Sequence, residues 1–415
     1  MKRLVLIVPT FPKLSETFIV SKFLGLLARG WDVFIVCSDS EQREWQQFPA
    51  LARQPQIRNR VIVSWPAQPR WLVVLLFPWV LVKTLVQNCA ATCRYLLAGL
   101  RRRGLGVGKH FYLDAPIIGL RPDIVHFEFG ALAVGRLHLK ELLGCKIVVS
   151  FRGYDLNFVG LDNPEYYRDV WDQVDAVHVL GQDLWKRAQR RGCPAAKPHA
   201  IIPPAIDSSY FQPQPRTSSE DIGQNGRPLR ILSVGRLEWK KGYEYALQAV
   251  KRVVAAGMPC QYRIIGGGQY LGPLAFIRHQ LDLEKEVEFL GPLPQEEVME
   301  HLRWADVFLH AAVSEGFCNA VLEAQAMAVP VVTSDAGGLA ENVAAGLTGF
   351  VVARRHPGAM AEKLLLLAQD PALRRQLGQA GRQRVLARFR LAGQIKAFEE
   401  FYEQILRETG TIKHG

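Results

Sequence analysis

The sequence lacks the patterns that mark most metal, redox and secreted proteins. Its seven cysteines are scattered, without the CxxC pair that zinc ribbons and redox motifs use. There is no Asp-x-Asp pair and no His or Cys cluster at ligand spacing, so neither a bound metal nor a cofactor is expected. This cysteine usage fits a reducing cytoplasm.

Long apolar runs and targeting signals are also scarce. The longest apolar run, "WLVVLLFPWVLV" (71–82), has about half the length of a transmembrane helix and contains Pro78, so no membrane span is predicted. The N-terminal stretch "MKRLVLIVPTFPKLSE" contains Pro9 and Pro12 and no small-residue cleavage site. We interpret it as a first β-strand.

The composition is that of an ordinary globular protein. A chain of 415 residues with 49% hydrophobic and 22% charged residues predicts roughly two or three domains with sizeable cores. The formal net charge is +12, and it is concentrated in one half. Residues 1–205 hold 27 Lys and Arg against 16 Asp and Glu, whereas residues 206–415 hold 24 against 23.

Short, continuously apolar runs alternate with helical patterns in two series, which is typical of parallel sheets covered on both faces. The runs are residues 3–9, 32–37, 123–128, 146–151 and 175–180, then 229–234, 261–266, 286–290, 306–310, 329–333 and 349–352. We therefore predict an α/β protein with two doubly wound Rossmann-like domains facing a cleft. The predicted parts are an N-terminal domain (1–205), a Pro-, Ser-, Gln- and Gly-rich linker (206–228), a C-terminal domain (229–390) and a closing amphipathic helix (391–415).

Ligands of such folds bind at the carboxyl ends of the strands, so the residues that follow each strand are the candidates. Arg236 and Lys241 follow the first strand of the second domain and suit a phosphate site, although a solvated basic turn would look the same. Gly266 opens a triple glycine that allows close backbone approach, and Leu290 ends the next strand before a turn that a flat base could contact.

The stretch "HAAVSEGFCNAVLEAQAMAVPVVTS" (310–334) places Glu315 at a strand end and Glu323 about one turn inside the following helix. Gly316 to Asn319 form the donor-binding turn that leads into this helix. Unpaired amides at the helix N-terminus, from Phe317, Cys318 and Asn319, would bind phosphates, while the carboxylates accept vicinal hydroxyls. The alternative is that Glu315 interacts only with the helix dipole and Glu323 is a solvated helix residue.

On these motifs the chain resembles the retaining GT-B glycosyltransferases of family 4, in their bacterial exopolysaccharide or colanic-acid branch. The resemblance covers nearly the whole chain, from "PTFPKLSETFI", "DIVHFEFGALA" and "SFRGYDL" to "GRLEWKKG", "SEGFCNAVLEA" and "GGLAENV". It implies metal-independent transfer from a UDP- or GDP-sugar to a lipid-linked glycan acceptor held by the N-terminal domain. It further implies that Glu315 contacts the donor sugar and Glu323 the ribose, with Arg236 and Lys241 on the diphosphate.

The first domain departs from the family in one element. Relatives often carry His in a His-Gly-x-Asp sequence where this chain has Arg152, and arginine cannot act as a base at neutral pH. Asp155 either takes part in the site or simply holds Arg152. The other acceptor-side candidates are His126, which also fits a buried structural residue, Glu128, Glu16 and Ser15, which equally fits a helix N-cap.

The span from Trp45 to Leu113 contains ten Lys or Arg and no carboxylate. Together with its Trp-bearing apolar run, this predicts that an anionic membrane surface is a partner, at the inner face of the plasma membrane. An ordinary core helix with a solvated basic side is the alternative.

Two other functions remain open on the sequence alone. The basic charge also fits a non-enzymatic nucleic-acid-binding protein, but stacking aromatics are not interleaved with the basic residues. The GT-B scaffold also hosts phosphorylases and sugar-nucleotide epimerases. The patterns do not select the donor sugar, the acceptor, the linkage or the oligomeric state.

Overall fold

The computed structural model describes residues 2–13, 16–214, 222–223 and 226–407. The chain forms two compact units. The first unit consists of residues 1–179, 185–202 and 395–415, and the second of residues 180–184 and 203–394.

The first unit contains a seven-stranded, all-parallel sheet. Its strands are β1 (Arg3–Thr10), β2 (Asp32–Asp39), β3 (Val61–Val63), β4 (Ile124–Phe127), β5 (Lys146–Phe151), β6 (Ala176–Val179) and β7 (His199–Ile201), in the order β3-β2-β1-β4-β5-β6-β7. The strand order reverses between β1 and β4, and a doubly wound sheet opens a crevice at that point.

The helices that precede β8 differ widely in length. They are α1 (Thr17–Ala28), α2 (Gln42–Gln46), α3 (Pro49–Ala52), α4 (Arg70–Arg103), α5 (Val107–Leu120), α6 (Gly130–Ala133), α7 (Leu139–Leu143), α8 (Gly153–Asn157), α9 (Arg168–Gln173) and α10 (Gln182–Arg190). By length and composition, α4 could cross a membrane, contrary to the expectation from the 71–82 run. The apolar run is shorter than the helix because Lys83 interrupts it, while further apolar residues follow Lys83 within α4.

The second unit contains a six-stranded parallel sheet. Its strands are β8 (Leu229–Val234), β9 (Cys260–Ile265), β10 (Val287–Gly291), β11 (Val307–His310), β12 (Val331–Ser334) and β13 (Gly349–Val352), in the order β10-β9-β8-β11-β12-β13. The order reverses between the adjacent strands β8 and β11.

Eight helices follow β8 in the described part of the chain. They are α11 (Tyr243–Ala255), α12 (Leu271–Gln280), α13 (Gln295–Trp304), α14 (Asn319–Ala326), α15 (Leu339–Asn342), α16 (Pro357–Gln369), α17 (Pro371–Arg388) and α18 (Leu391–Arg407). Helices α11 to α17 cover two apolar cores of the second unit, one centred on Leu229, Ile231 and Leu247 and the other on Leu232, Phe308 and Val321. The prediction of two parallel-sheet Rossmann-like domains is confirmed.

All eleven predicted strands are present, within two residues at each end. Strands β3 and β7 were not predicted; they are three residues long and lie at the two edges of the first sheet. An edge strand is paired on one side only and needs little apolar sequence, so its pattern is weak.

The predicted linker region and the last helix belong to the packed units. Ile206 and Phe211 are buried in a core of the second unit although they fall within the predicted linker. Its residues 215–221 and 224–225 lie outside the described part of the chain. Helix α18 belongs to the first unit from Ile395 onward, and Phe398 and Tyr402 are buried there.

Candidate active site

The candidate site of the second unit lies at the carboxyl edge of its sheet, where the strand order reverses. Strand β8 leads into the segment that carries Lys241, and its neighbour β11 leads into the segment that carries Glu315. Two residues 74 positions apart in sequence therefore meet at one edge. This is the position at which open α/β sheets bind ligands.

Lys241 is presented by a short 3₁₀ helix, Trp239–Lys241. Gly242 ends that helix with a φ of +62°, and a Cβ atom there would lie 2.2 Å from the carbonyl oxygen of Ala311. Glycine is therefore required for the chain to turn from the 3₁₀ helix into α11 while it packs against the end of β11. The backbone of Lys240 adds a second link, because its carbonyl accepts the amide of Val313 at 2.8 Å.

The turn that carries Glu315 is held from outside by the "GGLAEN" segment. The fully buried side chain of Asn342 accepts the amide of Cys318 through Oδ1 (3.1 Å) and donates through Nδ2 to the Cys318 carbonyl (2.9 Å). The amide of Gly338 donates to the carbonyl of Glu315 at 3.1 Å, and a Cβ at Gly338 would collide with Gly316. Both ends of the turn are thus fixed before any ligand binds.

Lys241 and Glu315 form a tight, largely buried ion pair. Lys241 Nζ lies 2.5 Å from Glu315 Oε2, and the two side chains are 13% and 15% exposed. Burial alone would raise the pKa of Glu315, but Lys241 and His310 outweigh it and lower that pKa to about 2. Burial likewise opposes the charged form of Lys241, yet Glu315 and Cys318 keep its pKa above the usual value. Both groups are charged at neutral pH.

His310 and Cys318 complete a buried charge network with this pair. His310 Nε2 lies 3.6 Å from Cys318 Sγ and 3.5 Å from Glu315 Oε2. Burial favours the neutral imidazole, but Cys318 and Glu315 raise the pKa of His310 to about 9. Although burial favours the thiol, the His310 imidazolium lowers the pKa of Cys318. The network therefore gathers Lys241, His310 and Cys318 around the Glu315 carboxylate.

The same three side chains are the only group of metal-ligand type found in the described residues. The ligand atoms of His310, Glu315 and Cys318 lie within 4.8 Å of one another. They do not fit a resident divalent ion as arranged, because the ammonium of Lys241 already occupies Glu315 Oε2 at 2.5 Å. A cation placed there would have to displace that ammonium from the carboxylate.

Glu323 lies on α14, one turn inside the helix, as the spacing predicts. Burial raises its pKa to about 7. Among the described residues it has no salt-bridge partner. A half-buried carboxylate of this kind is suited to accept hydroxyl hydrogen bonds once it is ionised.

The other second-unit candidates, Arg236, Leu290 and Gly266, lie outside the Lys241–Glu315 ion pair. Arg236 is 61% exposed and pairs with Glu238 at 2.9 Å. Leu290 packs partly buried against the second-unit core. At Gly266, with φ +143°, a Cβ would lie 2.0 Å from the Gly235 carbonyl oxygen, so this glycine is needed for the close approach of two backbone segments.

One of the three predicted helix N-terminal donors is not free. The expectation for Cys318 is wrong because its amide donates to Asn342, a residue distant in sequence. The amide of Gly316 lies 3.3 Å from Glu315 Oε1. Within the described residues, the amides of Phe317 and Asn319 make no hydrogen bond, so they are available to an anion at the N-terminus of α14.

The first-unit candidates meet at the reversal point of their own sheet. Glu128, which follows β4 and is fully buried, accepts from Lys22 Nζ at 2.6 Å and from Arg152 Nη2 at 2.9 Å. Burial lowers the pKa of Lys22 to about 8 although Glu128 opposes the shift. The guanidinium of Arg152 stacks 3.9 Å from the ring centroid of Phe18. Arg152, 12% exposed, is the member of this trio that reaches the surface.

His126 and Asp155 are enclosed and hold other groups in place. His126 Nδ1 lies 2.6 Å from the Tyr402 hydroxyl on α18, and its Nε2 lies 2.7 Å from Ser150 Oγ. Asp155 accepts the backbone amides of Arg152 (3.0 Å) and Ala131 (3.2 Å), so it holds the backbone of Arg152.

Two of the acceptor-side candidates precede α1. Glu16 is the N-cap residue of α1 and pairs with Lys13 at 3.3 Å. Ser15 lies outside the described residues.

Sequence reasoning missed Lys22, His310 and Asn342. Lys22 was detectable as a charge on the apolar face of α1, beside Ile19, Phe23 and Leu26. His310, the last residue of an apolar strand, was a weaker signal of the same kind. Asn342 had no local signal, because its partner Cys318 is 24 residues away.

The chain is similar to known proteins over both units. Residues 215–384 match the family "Glycosyl transferases group 1". A putative colanic acid biosynthesis glycosyltransferase of Salmonella typhimurium is 32% identical over 382 residues, which are 85% of this chain and 87% of that protein. Its Escherichia coli counterpart is 29% identical over 388 residues, which cover 86% and 89%.

A solved structure shares the architecture. The Anabaena protein HepE, crystallised in complex with UDP and glucose, aligns with a TM-score of 0.70 at 14% identity, covering 97% of this chain and 100% of that one. At that identity the likeness concerns the fold, which is the GT-B arrangement of two Rossmann-like domains.

Proposed function

The chain belongs to the group 1 glycosyl transferases, close to the colanic acid biosynthesis enzymes, and from that membership we propose that it moves a sugar from a nucleotide sugar to a glycan acceptor. It is a glycosyltransferase of polysaccharide biosynthesis, so the non-enzymatic alternative is set aside. The proposed donor is a UDP- or GDP-sugar and the proposed acceptor is a lipid-linked glycan.

The observation that carries the proposal is the Lys241–Glu315 pair at the reversal point of the second sheet. Lys241 would stabilise the negative charge that develops on the departing diphosphate. Arg236, exposed nearby, would add a second positive charge once a donor is bound. The amides of Phe317 and Asn319 at the N-terminus of α14 would bind the diphosphate oxygens.

The two carboxylates would accept hydrogen bonds from hydroxyl groups of the nucleotide sugar. Glu315, ionised and fixed by Lys241, accepts from the donor sugar, while Glu323 accepts from the ribose. The acceptor hydroxyl attacks the anomeric carbon on the face that the diphosphate leaves, and a phosphate oxygen takes its proton. This route retains the anomeric configuration and uses neither a protein nucleophile nor a metal.

The acceptor is proposed to be met at the inner face of the plasma membrane, on the cytoplasmic side. Residues 45–113 of the first unit, with ten Lys or Arg and no carboxylate, support an anionic membrane surface as partner. Arg152, pre-oriented by Glu128, would contact the substrate at the carboxyl edge of the first sheet.

The experiment is a screen of UDP- and GDP-sugars with lipid-linked acceptors, in the presence and absence of EDTA. We expect nucleoside diphosphate release that depends on acceptor and is unaffected by EDTA, and a product whose anomeric proton coupling in NMR matches that of the donor. Inversion of the anomeric centre, or EDTA-sensitive turnover, would contradict this mechanism. Release of sugar 1-phosphate with free phosphate as co-substrate would identify a phosphorylase instead.

A further inference from the structure

Helix α4 exposes a continuous apolar stripe to solvent. The stripe consists of Trp71, Val74, Leu75, Trp79, Val82 and Val86, whose exposed fractions run from 53% to 83%. Their spacing of three, four and seven residues places them on one face of the helix. Only 17% of the residues in the most apolar window of α4 are buried, which excludes the alternative of an ordinary core helix.

The opposite face of α4 is attached to the first unit. Val80, Thr84, Asn88, Thr92 and Tyr95 are buried. Asn88 Nδ2 donates to the Ile118 carbonyl at 3.1 Å, and the Tyr95 hydroxyl donates to Asp114 at 2.8 Å. A spanning orientation would have to break these contacts with α5 and leave buried polar groups unpaired in hydrocarbon.

The helix is also divided at Asn88, whose φ and ψ of −157° and 77° are not helical. Asn88 Oδ1 accepts the amide of Ala91 at 3.2 Å and so caps the second segment. The stripe lies wholly before this kink. At 1.5 Å per residue it extends about 24 Å, less than the roughly 30 Å hydrocarbon core of a bilayer. Its length and attachment both favour a helix that lies in the plane of a surface.

Basic and aromatic side chains flank the stripe. Lys83 Nζ lies 5.1 Å and 4.9 Å from the ring centroids of Trp65 and Trp79. Arg70 precedes the stripe, and Arg94 and Arg101 follow the kink, all exposed. Trp and Lys at the edge of an apolar face are typical of the water–lipid interface. Because residues 45–113 carry no carboxylate, this surface complements negative charge.

A second copy of the chain is a poor occupant of the same surface. In a two-fold dimer each residue faces the same patch of its partner, so two basic, carboxylate-free surfaces would oppose each other. An anionic lipid leaflet supplies both an apolar layer for the stripe and phosphates for the arginines.

We propose that the apolar stripe of α4 inserts in the plane of an anionic lipid leaflet, as a monotopic anchor that does not span the bilayer. This inference rests on the proposed function only for the reason why a membrane is needed, namely a lipid-linked acceptor.

The test is co-sedimentation of the full chain with vesicles of phosphatidylcholine alone and of phosphatidylcholine with 30% phosphatidylglycerol. The stripe variant is Val74→Ser/Trp79→Ser/Val86→Ser, and its matched control is Phe276→Ser/Leu347→Ser, which removes exposed apolar side chains from the second unit. The charge variant is Arg94→Ser/Arg101→Ser, with Arg252→Ser/Lys285→Ser, also exposed, as control.

We expect binding to anionic vesicles, about a tenfold loss in the stripe and charge variants, and no loss in either control. Alkaline carbonate should release the bound protein. Equal recovery with both vesicle types, unchanged binding of the stripe variant, or retention in carbonate would each overturn the proposal. So would a dimer in sedimentation velocity that the stripe substitutions dissociate.

Binding of UDP-sugars in the absence of vesicles separates this inference from the proposed function. Donor binding should be unchanged in the stripe variant, because its residues are exposed on the first unit. If the wild-type protein transfers sugar but does not bind vesicles, the membrane anchor alone is overturned. Vesicle binding without any glycosyl transfer overturns the proposed function alone.

Discussion

At the scale of single residues, the proposed donor site is governed by how burial and charge oppose each other. Glu315 and Glu323 are both glutamates in the same segment, yet their pKa values move in opposite directions. Lys241 and His310 lower that of Glu315 to about 2, whereas Glu323 has burial alone and rises to about 7. Glu315 is ionised at neutral pH, and Glu323 titrates near neutral pH.

Removal of either charge of the Lys241–Glu315 pair should disable turnover. We expect Lys241→Met and Glu315→Gln to lower kcat by about a hundredfold or more, because a developing charge loses its partner in a buried site. The matched control is Lys240→Met, whose ammonium pairs with Glu238 at 2.7 Å. Steady-state kinetics should show a much smaller effect there. Near-normal turnover of both site variants would remove the pair from the chemistry.

Donor affinity should depend on pH through Glu323. Its pKa is raised to about 7, so the carboxylate is protonated below that pH and ionised above it. If the ionised form accepts the ribose hydroxyls, the Kd for the donor should increase as pH falls from 8 to 6, by up to about tenfold per unit below the pKa. Calorimetry on wild type and Glu323→Gln tests this. A pH profile identical in both proteins would exclude Glu323 as the source.

At the scale of elements, the Glu315 turn depends on α15. Asn342 closes two hydrogen bonds on Cys318, and Gly338 closes one on Glu315, so the segment after β12 positions the segment after β11. The motif "GGLAENV" therefore supports the motif "SEGFCNAVLEA" in three dimensions.

Asn342→Ala should therefore act on the site through the turn. Two buried hydrogen-bonding groups of Cys318 lose their partner, at a cost of about 1–3 kcal/mol each at most. We expect a lower Tm and a raised KM for the donor. Asn163→Ala, in an exposed turn of the first unit, is the control. An unchanged donor KM in Asn342→Ala would contradict this coupling.

At the scale of the whole molecule, the last helix returns to the first unit. Tyr402 lies 2.6 Å from His126 across 276 positions of sequence, and Lys22 Nζ lies 3.9 Å from the ring centroid of Phe398. The final helix thus covers Lys22, one member of the buried cluster of Lys22, Glu128 and Arg152.

Substitution on α18 should loosen that cluster. Phe398→Ala removes a buried aromatic ring and is expected to cost about 3–5 kcal/mol. Hydrogen exchange should accelerate in peptides from α1 and β4, whereas peptides from β8 and β11 stay protected. Lys396→Ala, at an exposed position of the same helix, is the control. Uniform exchange across both units after Phe398→Ala would argue against a local role.

The sequence by itself determined the architecture and the motifs that carry Lys241 and Glu315. Continuous apolar runs predict strands such as β5 and β8 because a parallel strand covered on both faces needs apolar side chains at every position. The residues that follow them, Lys241 and Glu315, were predictable because parallel strands end at a common edge. These signals are local, and a local window of sequence contains them.

Only the tertiary structure decided which groups share a site and which faces remain uncovered. The pairing of Glu128 with Lys22, of Cys318 with Asn342 and of His126 with Tyr402 joins segments between 24 and 276 residues apart. The direction of the stripe on α4 likewise depends on its packing against α5, since both faces of that helix are apolar in sequence. Burial and charge pairing are properties of the packed chain, so the hydrophobic periodicity of the sequence does not reveal them.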